Sequence, residues 1–292
     1  MKLPYYAGCT LHTKAKNLNE TAIKAAAKVG FELDEMPDWT CCGAIYSTNV
    51  DDLAYQVGPV RNLARASQMG GRLVTLCAAC YNVLKRANRE LNAAGNELVR
   101  QRLLDFVDER FDRPVSVIHY LDVLRSNIGW DRLRGNVARP LEGLRVASYY
   151  GCLMVRPREV LDFDDPENPV VMDQLVTALG GTPVDFDFKT ECCGGYLIVN
   201  RRQAAVECSR RVLENIVSVG ADVVATTCPL CQYNLDALQP EMPSVWRGFE
   251  SIPVLYFTQL LGLAVGLGED ELALDYNTTD ARPVFREKGL LS

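Results

Sequence analysis

At 292 residues the chain has room for two domains of ordinary size, and its 48% hydrophobic and 23% charged residues are those of a globular protein. The formal net charge of −6 excludes a general attraction to nucleic acid or to anionic membrane, both of which need a basic face. Met1-Lys2-Leu3-Pro4 runs into a strand-like segment with no long apolar leader, and the most apolar stretch, Val254 to Leu267, is interrupted by Thr258 and Gln259 and is too short to span a bilayer. The expectation is a cytoplasmic protein with no direct membrane insertion and no nucleic-acid partner.

In chain order, the first strand-like run ends at Cys9. Asn17 to Val29 reads as a helix with Leu18, Ile23, Ala26 and Ala27 available for one face. Gly30-Phe31-Glu32-Leu33 follows, then Cys41-Cys42-Gly43. Asp51 to Met69 reads as a helix capped by Asn49 or Asp51 and closed by Gly70-Gly71. Arg72 to Leu76 is an apolar strand run into Cys77-Ala78-Ala79-Cys80, and Pro114 to His119 is another that leads into a helical run. Gly135 to Gly143, polar and containing Pro and Gly, is the expected linker.

The same order then begins again. Ala147 to Tyr150 leads to Cys152, and Val170 to Leu179 is a helix closing at Gly180-Gly181. After Cys192-Cys193-Gly194, the helix Arg201 to Val219 closes at Gly220. Asp222 to Thr227 runs into Cys228-Pro229-Leu230-Cys231, and Ser251 to Tyr256 matches Pro114 to His119 in character. From Gly268 onward the chain turns polar and is expected to form an arm rather than core.

Ten of the eleven cysteines thus fall into two copies of one pattern, with 34 residues between the Cys-Cys pair and the Cys-x-x-Cys in both. The first gap is 31 residues in one copy and 39 in the other. Internal self-similarity of this length means two structural copies, placed at residues 1–138 and 139–292. Alternating apolar strands and helices predict an α/β fold of two tandem, pseudo-symmetric Rossmann-like domains with mostly parallel sheets. Each set of cysteines then lies at the carboxyl edge of the strands, where such folds bind ligands. Helix N-termini favour thiolate over thiol, and Pro229 suits the first turn of the helix that Cys228 opens.

Cysteines in a reducing cytosol point to metal or redox chemistry rather than to disulfides. A zinc site takes four ligands in a tetrahedron, so five thiolates per copy are one too many, and adjacent cysteines crowd a single ion. A thioredoxin-like reading ignores six of the ten patterned cysteines. Iron–sulfur centres accept thiolates from scattered positions, but the ferredoxin run Cys-x-x-Cys-x-x-Cys-x-x-x-Cys of an ordinary cubane is absent.

The order Cys9, Cys41-Cys42-Gly43, Cys77-Ala78-Ala79-Cys80, repeated as Cys152, Cys192-Cys193-Gly194, Cys228-Pro229-Leu230-Cys231, resembles the cysteine-rich CCG domain. Two tandem copies resemble the B subunit of heterodisulfide reductase, over roughly residues 1 to 267. The resemblance implies two non-cubane [4Fe–4S] clusters, each held by five cysteines. The ligands would be Cys9, Cys41, Cys42, Cys77 and Cys80 in one copy, and Cys152, Cys192, Cys193, Cys228 and Cys231 in the other. It also implies a thiol or disulfide substrate between the clusters, which are themselves the catalytic groups. Two one-electron centres side by side can reduce a disulfide without releasing a thiyl radical. No glycine-rich dinucleotide fingerprint or P-loop is present, so electrons must come from elsewhere. The partners that the resemblance implies are an iron–sulfur protein like the C subunit of that reductase and a flavin-containing protein like its A subunit. The alternative is an electron-transfer or anchoring subunit of a succinate/fumarate or other flavin-dependent oxidoreductase, with zinc in one copy.

Other residues complete the expected sites. Gly8, Gly43, Gly151, Gly194 and Gly195 adjoin the cysteines, where a bulky group needs close backbone approach. His12, three residues after Cys9, and His119, aligned with Tyr256, are proton-donor candidates. Lys14, Lys16, Arg156, Arg158, Lys189, Arg201 and Arg202 flank the cysteine segments and suit an anionic substrate or cluster charge. Cys208 has no counterpart in the first copy and is expected to be a buried free thiol.

Overall fold

Eight short apolar runs become strands in a computed structural model that describes residues 1–44 and 53–292. Strands β1 (Lys2–Tyr6), β2 (Glu32–Glu35), β3 (Arg72–Thr75) and β4 (Ser116–His119) form one sheet in the order β2-β1-β3-β4. Strands β5 (Arg145–Tyr149), β6 (Thr182–Val184), β7 (Val223–Thr226) and β8 (Val254–Tyr256) form the other, in the order β6-β5-β7-β8. Every neighbouring pair is parallel. Thr75 is opposite His119 and Thr226 opposite Tyr256, so the two copies share their register at the carboxyl edge. All residues of β7 and β8 are buried, as parallel strands covered on both faces require.

The first copy carries α1 (Lys16–Val29), α2 (Val57–Gln68), α3 (Ala78–Leu91), α4 (Glu97–Val107), the short α5 (Tyr120–Asp122), which continues as a π-helical segment Val123–Ile128, and α6 (Trp130–Gly135). The second carries α7 (Arg158–Leu161), α8 (Val171–Ala178), α9 (Leu197–Asn200), α10 (Arg202–Ser218), α11 (Pro229–Ala237), α12 (Phe257–Ala264) and α13 (Arg282–Glu287). No described helix is long and apolar enough to cross a membrane. The helix expected from Asp51 starts later: a 3-10 turn over Ala54–Gln56 precedes α2. Its expected caps, Asn49 and Asp51, lie outside the described residues.

Helix α1 buries Leu18, Ala22, Ala25, Ala26 and Val29, a helical stripe, and ends at left-handed Gly30, whose N–H reaches the carbonyls of Ala26 and Ala27. Ile23, expected on that face, is 41% exposed, and Ala27 is exposed with it. The small residues let α12 of the second copy pack on α1, where the buried hydroxyl of Thr21 donates to that of Thr258 at 2.7 Å.

One hydrophobic core runs through both copies. At its centre His119 packs against Tyr81 of the first copy and Phe163 and Phe257 of the second, with ring centroids 5.7, 6.0 and 5.9 Å away. Its Nδ1 accepts from the Leu121 N–H at 3.2 Å, which leaves the proton on Nε2 to donate to the Leu76 carbonyl at 2.9 Å. Burial pulls its pKa down to about 4. Backbone carbonyls of the second copy add to the seam. Asn82 donates to those of Leu153 and Arg156 at 2.9 and 2.7 Å, and the Tyr81 hydroxyl to that of Leu161 at 3.2 Å.

The linker and tail are tied down. Ala138 and Arg139 donate to the Ala264 carbonyl, each at 2.9 Å, and Leu141 is fully buried. The tail after Gly268 is not an arm, because Leu272, Leu274, Ala281, Phe285 and Leu290 are buried. Asp236 of α11 accepts the N–H groups of Thr278 and Thr279 at 2.6 and 3.0 Å. Asn277 joins Gln259 at 2.9 Å and Asn17 of the first copy at 3.3 Å. The polar composition misled because these polar side chains satisfy buried backbone rather than water.

Two outcomes follow from this packing. Phe285→Ala lowers stability by about 3–5 kcal/mol in urea unfolding; a change within experimental error would return the tail to an arm. His119 stays neutral in the folded chain down to about pH 4 but takes a proton near 6.5 when unfolded. Its contribution is therefore complete above 6.5 and lost as the pH falls toward 4. His119→Gln flattens the decline of stability across that window, and parallel pH profiles for the two proteins would refute it.

Candidate metal centres

Both copies deliver their thiols in the same way. After β1 the chain turns through Gly8 (φ 76°) to Cys9, and after β5 through Gly151 (φ 63°) to Cys152. A Cβ on Gly8 would sit 3.3 Å from Cys80 Sγ, and one on Gly151 would sit 2.9 Å from Cys231 Sγ. The turn glycines therefore let the lone-cysteine segment close on the Cys-x-x-Cys. Cys77 and Cys228, in extended conformation, cap the N-termini of α3 and α11, which puts Cys80 and Cys231 in the first turns.

The Cys-Cys pairs lie on the loops after β2 and β6. Each loop is tethered by a tyrosine three residues before the lone cysteine. Tyr6 donates to the Thr40 carbonyl at 2.9 Å, and Tyr149 to the Glu191 carbonyl at 2.6 Å, each just ahead of the pair. This device escaped the sequence reading, although the repeated tyrosine was its visible sign.

The thiols approach one another closely. Cys9 and Cys41 sulfurs are 3.5 Å apart, Cys42 and Cys80 3.4 Å, and Cys193 and Cys231 3.6 Å. Cys152 and Cys192 influence each other's ionisation in the second copy. Cys77 and Cys228 lie within electrostatic reach of one another across the boundary between the copies, beside a 3.4 Å contact from Ala78 N–H to the Thr227 carbonyl.

Such crowding splits the thiols into two groups. Hydrogen bonds from Cys41 and Cys80 pull Cys42 down to about 4, those from Cys152 and Cys193 pull Cys192 to about 2, and those from Cys231 and Cys77 hold Cys228 well below the ordinary thiol value. Their neighbours move the other way. The nearby sulfurs of Cys41, Cys228, Cys42, Cys192 and Cys193 raise Cys9, Cys77, Cys80, Cys152 and Cys231 respectively, and Cys192 pushes Cys193 up to about 12. Thiolates packed this closely cannot all exist without positive charge among them.

A metal-containing group would supply that charge, and the donor set fits one. Among the described residues, no three Cys, His, Asp or Glu side chains close around a single ion. The sulfurs meet in pairs spread along the strand ends, a shape suited to several metal atoms rather than one. The buried hydroxyls of Thr75, Thr226 and Thr227, at the strand ends before each Cys-x-x-Cys, lack hydrogen-bond partners.

A cavity of about 540 Å3 opens between the copies. All five patterned cysteines of the first copy line it, together with Cys228 of the second. Ala79, Ile198, Val199, Pro229 and Leu230 make its apolar wall, with Lys14, Thr10, Tyr196 and Tyr233 as its other polar groups.

The remaining expected residues are less directly placed. His12 is an exposed loop anchor, bonded to Glu35 at 2.7 Å and stacked on Trp39. His119 has both ring nitrogens engaged within the seam, which makes it a helix cap rather than a proton donor. Gly43 has φ 70° beside Cys42. A Cβ on Gly194 would strike Ala205 Cα of α10 at 2.7 Å, so that glycine serves helix packing, while one on Gly195 would lie 3.8 Å from Cys192 Sγ.

Of the seven basic residues only Lys14 lines the cavity. Lys189 is buried on Asp173 and Asp185 at 2.8 and 2.9 Å, Arg156 joins Glu167 and Thr190, and Arg202 pairs with Glu241. Lys16, Arg158 and Arg201 make no ion pair among the described residues. Cys208 is half-exposed rather than buried, its thiol pushed up by partial burial and then by the charge at Cys192.

Comparison with known proteins places this geometry. The cysteine-rich CCG domain matches twice, over residues 3–85 and 146–236. The chain is 33% identical over 277 residues to the 8-methylmenaquinol:fumarate reductase membrane anchor subunit of Wolinella succinogenes, covering 95% of this chain and 96% of that one. It is 29% identical over 281 residues to the B subunit of the ferredoxin/F(420)H(2)-dependent CoB-CoM heterodisulfide reductase of Methanosarcina acetivorans, covering 94% and 93%. Identity to a protein of Archaeoglobus profundus that is like the B subunit of heterodisulfide reductase is 28% over 286 residues, with the same coverage of 94% and 93%. A hypothetical protein from Helicobacter pylori superposes with a TM-score of 0.73 at 16% identity, over 95% of this chain and 53% of that one, a likeness of fold alone. With the strand order, the thiol turns and the domain match each repeated, the chain belongs to the cysteine-rich CCG domain family, in two copies.

Proposed function

We propose that this chain is the catalytic subunit of a heterodisulfide-reductase-like oxidoreductase, in which a sulfur–sulfur bond is cleaved or formed between two iron–sulfur centres. The observation that carries the reading is that Cys77 of the first copy and Cys228 of the second line one cavity to which both copies contribute. Cys9, Cys41, Cys42, Cys77 and Cys80 would hold one non-cubane [4Fe–4S] cluster, and Cys152, Cys192, Cys193, Cys228 and Cys231 the other. When bound, these groups supply electrons one at a time and iron sites for sulfur.

The chain's own residues do the rest. The N-termini of α3 and α11 direct free N–H groups and positive potential at the Cys-x-x-Cys sulfurs. The apolar wall keeps water from the reacting sulfurs and strengthens charge interactions there. Among the described residues, Lys14 is the one charged side chain on the cavity, placed to meet an anionic thiol product. Electrons would arrive through an iron–sulfur partner of the C-subunit type and a flavin-containing partner of the A-subunit type, in the cytoplasm and without direct membrane insertion. The names of the heterodisulfide reductase relatives, each a component of a larger enzyme, support such an assembly.

A second reading is favoured by the 33% identity to the fumarate reductase subunit. Here the chain passes electrons within a succinate/fumarate or other flavin-dependent oxidoreductase, with zinc in one copy, and the apolar cavity takes a quinol. Anaerobic purification with iron, zinc and sulfide analysis separates the two. About eight irons per chain is the expected result; four irons with one zinc overturns the paired-centre reading and leaves electron transfer.

Gly151→Ala, which forces a Cβ onto Cys231, is expected to lower iron by about half with helix content unchanged. Full loading of that variant would remove the second copy's thiols from the ligand set.

A further inference from the structure

Among the described residues, four polar side chains besides the thiols line the cavity. The Thr10 hydroxyl lies 3.7 Å from Cys9 Sγ. Tyr233 sits on the exposed rim, within electrostatic reach of Arg202. Lys14 is exposed at the mouth. Tyr196 is the fourth, half-buried, and its hydroxyl has no hydrogen-bond partner among the described residues. It belongs to the second copy, yet it lies within electrostatic reach of Cys42, Cys77 and Cys80 of the first as well as Cys228 of its own.

The backbone that presents Tyr196 is held from several sides. Ser209 and Asn234 donate to the Cys193 carbonyl at 3.0 and 3.2 Å, and Asn234 also to the Gly195 carbonyl at 3.0 Å. Gly194 is pressed against α10, and Tyr196 itself opens α9. A tyrosine on a backbone held this firmly, its hydroxyl without a partner among the described residues, is placed to offer its proton to a ligand.

We propose that Tyr196 is the hydrogen-bond donor that orients the sulfur substrate in the cavity between the copies. The inference rests on the paired-centre reading. Burial, followed by the charge at Cys228, pushes the phenol's ionisation upward, so it remains a donor throughout the physiological range.

The test is a titration of the anaerobically purified, iron-loaded protein with benzyl mercaptan, followed by the visible and electron paramagnetic resonance spectra. Tyr196→Phe is expected to raise the half-saturating thiol concentration about tenfold or more, with unchanged iron content and an unchanged spectrum before thiol is added. Competition by ethylbenzene, of similar shape but without a sulfur acceptor, is expected to be the same in both proteins.

Equal half-saturation overturns the role of Tyr196 alone. Loss of iron in the variant also overturns it, since the tyrosine would then support the centre rather than the substrate. A wild-type spectrum that ignores the thiol overturns the paired-centre reading and this role together.

Discussion

Everything in this molecule depends on holding thiols closer together than their ionised forms tolerate. Sulfurs 3.4–3.6 Å apart oppose one another's ionisation, so each thiolate keeps its neighbours protonated. The surrounding fold must supply the rigidity that mutual repulsion would otherwise undo. It does so with parallel strands buried on both faces, with helix N-termini at the Cys-x-x-Cys segments, and with turn glycines that accept contact no side chain could.

The repetition of this arrangement gives the seam between the copies its character. Cys77 and Cys228 meet there, and the aromatic rings around His119 sit in the same boundary. The copies are related in topology but not in surroundings. All five patterned thiols of the first copy line the cavity, whereas the second contributes Cys228, Tyr196, Tyr233 and the apolar residues of α9 and α11. Duplication therefore supplied two similar edges, and divergence around them made one side a floor and the other a wall.

Much of this was legible in the sequence. Both sheets, the strand-to-cysteine-to-helix passages and the equivalence of His119 and Tyr256 in the two copies followed from apolar periodicity and cysteine spacing, since both are local signals. What escaped depended on contacts distant along the chain. Ile23 points outward because the face of α1 is set by α12, about 240 residues later. The tail joins the core because Asp236 and Gln259 offer partners for polar groups that composition alone assigns to water. Gly194 adjoins a cysteine but is required by α10, and only coordinates separate those two reasons for a glycine.

The tyrosine tethers carry a kinetic consequence. Tyr6 and Tyr149 belong to fully buried ends of their strands, and their hydroxyls fasten the loops that bear the vicinal cysteines. Those loops cannot swing away unless the strand ends loosen with them. Large movements of these loops are thereby coupled to local opening of the sheet edge, with the slow, temperature-steep rates of such openings rather than the rapid motion of a surface loop. Cys41 and Cys192 of the vicinal pairs stay exposed, yet the stability of their strands sets where they sit.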